Sequence, residues 1–118
     1  MKTFLATLLV LLLSIPTAMA GSVDGKGIWC DRGNNSFGYW FHDNQFNSYT
    51  IEGYQVIQGR WSYDYKEIGT DLVRLGKRAL DRTTLKIGSH QCHLVTSRQQ
   101  LKGILQAIID AAKTENKL

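Results

Sequence analysis

A chain of 118 residues is long enough for one domain and too short for two. Its formal charge of +4 is modest, so no nucleic-acid partner is expected. The two cysteines make an even count, which leaves no odd thiol to explain.

The chain opens with an export pattern. Lys2 supplies a positive start, Phe4 to Leu13 form an unbroken run of apolar and small residues, and Ala18-Met19-Ala20 is a small-x-small cleavage site. The run is too short to cross a bilayer core of about 30 Å as a helix. Residues 1–20 therefore read as a cleaved signal peptide, residues 21–118 as a single disulfide-linked domain, and the location as secreted or periplasmic. Gly21 rather than a cysteine follows the cut, so no lipid anchor is expected there. In an exported chain Cys30 and Cys92 imply one disulfide. The bond would constrain the unfolded chain by roughly 4 kcal/mol on the chain-entropy estimate.

Every aromatic residue beyond the leader lies between Trp29 and Tyr65, which predicts sheet for the first half of the domain. Phe37 to His42 and Gln45 to Ile51 form a predicted hairpin around Asp43-Asn44, residues that tolerate the positive φ of a two-residue loop. That register sets His42 opposite Gln45, Phe41 opposite Phe46 and Trp40 opposite Asn47. A third strand is expected from Tyr54, kinked at Gly59 and running on to Tyr65, with Trp61, Tyr63 and Tyr65 on one face. Thr70 to Leu75 and Ala79-Leu80 read as short strands around Gly76-Lys77. Asp81 to Thr84 reads as a turn, and Leu85 to Ile87 leads through Gly88-Ser89 into Gln91 to Val95.

The period changes at the end. Leu101, Ile104, Leu105, Ile108, Ile109 and Ala112 fall on one stripe of a helix, and Ser97 with Gln100 suggests a capping box. Arg98, Lys102 and Lys113 occupy its polar face. The fold class is therefore α+β: an antiparallel meander of about six or seven short strands, curled or partly closed, with one C-terminal helix packed on it. The disulfide is expected to tie the two ends of that sheet together.

Charge is distributed unevenly. Residues 21–71 carry four basic and seven acidic side chains, whereas residues 72–118 carry nine and three. Arg74, Lys77, Arg78, Arg82 and Lys86 fall around turns and solvent faces, where they solubilise the surface or form a patch for an anionic partner. His42, His90 and His93 are the candidate acid–base or metal-binding groups. His90 and His93 are three apart on a strand and point to opposite faces, so no metal site and no cofactor are expected. No G-x-S-x-G context marks a nucleophile. The aromatic set offers a binding surface instead, with Trp40, Trp61, Tyr63 and Tyr65 as candidates. Asn34-Asn35-Ser36 is a glycosylation sequon, relevant only in a eukaryotic secretory route.

Two resemblances follow from these residues. Trp29-Cys30, Phe37 to Phe41, Leu80-Asp81-Arg82-Thr83-Thr84-Leu85 and Gln91-Cys92 together resemble a class of small uncharacterised exported bacterial proteins. The size, paired cysteines and meander are also similar to periplasmic C-type lysozyme inhibitors of the small β-barrel kind. That likeness implies a loop that plugs an enzyme cleft, with Gly59-Arg60-Trp61-Ser62-Tyr63 in its place. The expected function is non-enzymatic binding of a protein or glycan outside the cytoplasm. The alternatives are a lysozyme-inhibitor-like protein and a small secreted hydrolase using His42 or His93.

Overall fold

In the computed structural model, which describes residues 23–115, Asp43 and Asn44 both adopt left-handed φ, 49° and 61°. They close a two-residue hairpin between strands β2 (Phe37–His42) and β3 (Gln45–Glu52). The register is the expected one, with Trp40 opposite Asn47, Phe41 opposite Phe46 and His42 opposite Gln45. Gly53 and Tyr54 repeat the device with φ of 56° and 66°, turning β3 into β4 (Gln55–Gln58). The export leader and the residues up to 22 lie outside the described part of the chain.

Strand β1 (Gly27–Cys30) precedes this pair, and β5 (Tyr63–Asp64), β6 (Lys66–Ile68), β7 (Leu72–Leu75), β8 (Arg78–Asp81), β9 (Lys86–Ile87) and β10 (His90–Val95) follow. The described residues thus form ten strands rather than six or seven. The excess comes from β5, β6 and β9, pieces of two or three residues, of which β5 and β6 sit where pairing passes from β3 to β7. All pairings between these strands are antiparallel, and helix α1 (Arg98–Thr114) completes an α+β domain.

Consecutive strands neighbour one another as in the expected meander, and the meander is curled by a pairing between its first and last strands. The order runs β4-β3-β2-β1-β10-β9-β8-β7-β6, with β5 paired to β3, so the first and last strands are neighbours at the centre. The Cys30–Cys92 disulfide therefore joins two directly opposed residues of β1 and β10 and ties together the middle of the sheet, not its ends. Two local meanders, one on each side, are stitched along this seam.

The segment 63–68 then curls the sheet. Asp64 and Tyr63 pair with Gln45 and Phe46 of β3, while Lys66 to Ile68 pair with β7. The two flanks meet through this one short stretch, and the sheet becomes a partly closed barrel. Alternation sends Ile28, Phe37, Tyr39, Phe41 and Phe46 into the interior beside Val73, Leu75, Leu80 and Ile87. Each fully buried aliphatic or aromatic side chain contributes about 1.5–3 kcal/mol of transfer free energy.

The opposite face receives the helix. Leu101, Leu105, Ile109 and Ala112 are buried, and Leu101 and Leu105 pack with Tyr49 and Val95, flanked by partly buried Trp29, Trp40, Ile104 and Ile108. Ser97 caps α1 by accepting from the Gln100 backbone N–H at 3.0 Å. Gln100 does not return the bond to Ser97. Its Oε1 accepts from the backbone N–H of Thr96 (2.7 Å), one residue beyond the capping-box partner. No helix of the described residues is long and apolar enough to cross a membrane.

Candidate functional site

The four aromatic candidates separate into two classes. Trp61 and Tyr63 are 63% and 54% exposed. Tyr65 is buried instead: its ring meets Phe41 edge-on at 5.4 Å, and its hydroxyl donates to Asp24 Oδ1 at 2.6 Å. The expected shared face of Trp61, Tyr63 and Tyr65 is lost because pairing switches from β3 to β7 at Tyr65, which breaks the strand's alternation there. Trp40 is half-buried beside the helix, with the Arg98 guanidinium 5.9 Å over its ring. It serves the junction between sheet and helix.

Trp61 stands on a short connection between β4 and β5 that is tethered at both ends. At one end the Gly59 backbone N–H donates to the Ser48 carbonyl oxygen at 2.7 Å. A Cβ on Gly59 would come within 2.5 Å of Ser48 Oγ, so a larger residue there would require the Ser48 hydroxyl to turn away. At the other end Asn47 Nδ2 donates to Ser62 Oγ at 2.7 Å. Tyr63 then leans on Phe46, ring centroids 5.9 Å apart. Two exposed rings are thereby held by a framework whose Phe46 and Asn47 are buried.

Asn47 is the hub of that framework. It is 5% exposed, and its Oδ1 meets His42 Nε2 at 2.8 Å and accepts from Arg98 Nη2 at 3.1 Å. Arg98 Nη1 also donates to the Tyr49 hydroxyl at 2.8 Å. A network of neutral acceptors and one guanidinium thus joins the hairpin, the helix start and the aromatic loop. Arg98, expected on the polar face of the helix, turns to the sheet because these acceptors face it there. The sequence marks Asn47 only by its place in the hairpin register. Its position opposite Trp40, on the helix-covered face, was the available signal.

The three histidines stand in different surroundings. Ser62 Oγ is bonded to Asn47, and His42 Nε2 is engaged by the same amide from its other side. His42 Nδ1 lies 3.5 Å from Asp43 Oδ2, an exposed carboxylate. His93 is exposed and stacks on Trp29 across the β1–β10 seam at 4.8 Å, whereas His90 approaches the interior ring of Phe37 edge-on at 6.0 Å. The expected opposite orientation of His90 and His93 is what separates them.

Among the basic residues, Arg82 departs from the expected solvent-facing placement. It is 7% exposed, with its backbone N–H donating to the Asp71 carbonyl oxygen. In the Asn34-Asn35-Ser36 sequon, Ser36 is buried, and its hydroxyl both donates to the Gly33 carbonyl oxygen and accepts from the Arg32 N–H. Comparison with protein-family models, curated proteins and solved structures finds no match for this chain.

Proposed function

We propose that this chain is an exported, non-enzymatic binding protein that inserts the Trp61–Tyr63 loop into the cleft of a protein partner. The observation that carries this reading is the exposure of Trp61 and Tyr63 on a segment pinned through Gly59 and Ser62. Exposed tryptophan and tyrosine dominate binding energy when they enter a desolvated pocket. A tethered loop also spends less ordering entropy on association than a free one. A projecting pair of rings suits a concave protein surface better than a flat glycan platform. An enzyme cleft of the kind lysozyme inhibitors plug is the specific version of this reading.

The test is titration of the purified protein against a panel of lysozymes and a panel of soluble glycans, repeated with Trp61→Ala/Tyr63→Ala. The expected result is a one-to-one complex with an enzyme, weakened at least about tenfold by the double substitution, a loss of about 1.4 kcal/mol. An enzyme complex that the double variant retains undiminished overturns the loop assignment. Glycan binding that the variant loses moves the partner to the other class. His93→Ala should leave binding intact, and a hydrolytic activity that His42→Ala or His93→Ala abolishes would replace the proposal.

A further inference from the structure

Away from the aromatic loop, two adjoining clefts at one end of the barrel share Arg78. The narrower, about 130 Å³, is lined by Arg32 and Arg78 together with Phe37, Tyr39, Ser48 and Thr50. The wider, about 560 Å³, carries Lys77, Arg78, Ser89 and His90 beside the apolar surface of Ala79 and Ile87. No carboxylate lines either one.

The two guanidiniums are gathered on one ring. Arg32 Cζ lies 4.7 Å and Arg78 Cζ 5.2 Å from the centroid of the interior Phe37. Each is positioned further by a neutral partner: Arg32 Nε donates to the Asn35 carbonyl oxygen at 3.1 Å, and Arg78 Nη1 approaches the Tyr39 hydroxyl at 3.4 Å. Among the described residues neither arginine has a carboxylate at ion-pair distance. Two guanidiniums lining one cleft with no carboxylate partner raise its positive potential and favour an anion there. Arginine holds such an anion through paired N–H donors, and the hydroxyls of Tyr39 and Ser48 line the same cleft, whereas Thr50 Oγ1 donates to Glu52 Oε2 at 3.3 Å.

From this arrangement we infer a second binding site, for a phosphate monoester. Its phosphoryl group sits in the narrow cleft between Arg32 and Arg78, with Lys77 supplying a third positive charge from the adjoining cleft. Three cations match a dianionic phosphate better than a monoanionic carboxylate. The organic body extends over Ala79 and Ile87 towards Ser89 and His90, in a space of the size that small-molecule sites occupy. The site shares Ser48 with the anchor of the Trp61–Tyr63 loop but does not depend on that loop's function.

The experiment is a titration of the disulfide-bonded protein at low ionic strength, followed by amide chemical shifts and calorimetry. The probes are phenyl phosphate, inorganic phosphate and benzoate. One saturable site for phenyl phosphate is expected, with shifts centred on Arg32, Phe37 and Arg78. Arg32→Gln and Arg78→Gln should each weaken it by about tenfold or more, the loss of one charge-assisted contact. Lys86→Gln, a basic residue that lines neither cleft, should leave it unchanged. Absence of saturation, or equal weakening by Lys86→Gln, overturns the site. Benzoate binding as tightly as phenyl phosphate overturns the phosphate assignment, and inorganic phosphate doing so overturns the role given to the organic body.

Discussion

Leu101, in the first turn of the helix, rests directly on Gly38 in the middle of β2. A Cβ at Gly38 would collide with the Leu101 side chain and lie 2.6 Å from the Ile28 carbonyl oxygen. The glycine is therefore what allows the helix to approach the sheet closely. Gly27 plays a similar part beside Trp40, where a Cβ would fall 2.6 Å from the indole ring.

Gly38→Ala should consequently destabilise the fold by about 1–3 kcal/mol, the usual penalty for overfilling a packed contact. Chemical denaturation would show it as a lower midpoint with an unchanged slope. An unchanged midpoint would mean that the helix does not rest on Gly38 in solution.

Gly103 makes the opposite case. It lies inside α1, and a Cβ there meets nothing within 4 Å. Gly103→Ala should raise stability by about 0.5–1 kcal/mol through the lower entropy of the unfolded chain. Thermal and denaturant unfolding read this directly, and a loss of stability would contradict the open space at this position.

Asn47 and Arg98 should be energetically coupled. Asn47→Ala removes partners from His42, Ser62 and Arg98 at once, and a cost of about 1–3 kcal/mol is expected for the groups left unsatisfied. A double-mutant cycle with Arg98→Ala should give an interaction free energy above about 0.5 kcal/mol. Strict additivity would separate the two residues.

Asp81 ties stability to pH. The backbone N–H groups of Thr84 and Thr83 hold its carboxyl below the usual carboxylate range, with donor distances of 3.0 and 2.8 Å. A depressed folded-state pKa stabilises the protein above the unfolded-state pKa, and that contribution disappears as pH falls through the folded value. Asp81→Asn should therefore be less stable than the parent at neutral pH, with the difference vanishing in acid. Melting curves across that range would check it, and a difference that persisted in acid would deny the carboxylate this role.

Much of the local structure was legible from neighbouring residues alone. Asp43-Asn44 specified a two-residue hairpin because both side chains tolerate positive φ, and the Phe41–Phe46 register followed from that turn. The apolar stripe from Leu101 to Ala112 specified the helix and its buried face, because a 3.6-residue period admits one such stripe. Exposure of Trp61 and burial of Tyr65 were not legible: both are aromatic, on the same parity, in one short stretch. They separate only because the chain changes strand partners at Tyr65.

Hairpin turns, the helix and its cap, and the opposite facing of His90 and His93 arise from interactions within a few residues, so the order of amino acids is enough to specify them. The pairing of β1 with β10, the placement of the disulfide at the centre of the sheet, and the gathering of Asn47 with Arg98 and of Arg32 with Arg78 depend on contacts between distant segments. Such contacts form only when the whole sheet curls and buries its two faces together. No local pattern encodes them, because the free energy that selects them belongs to the assembled core.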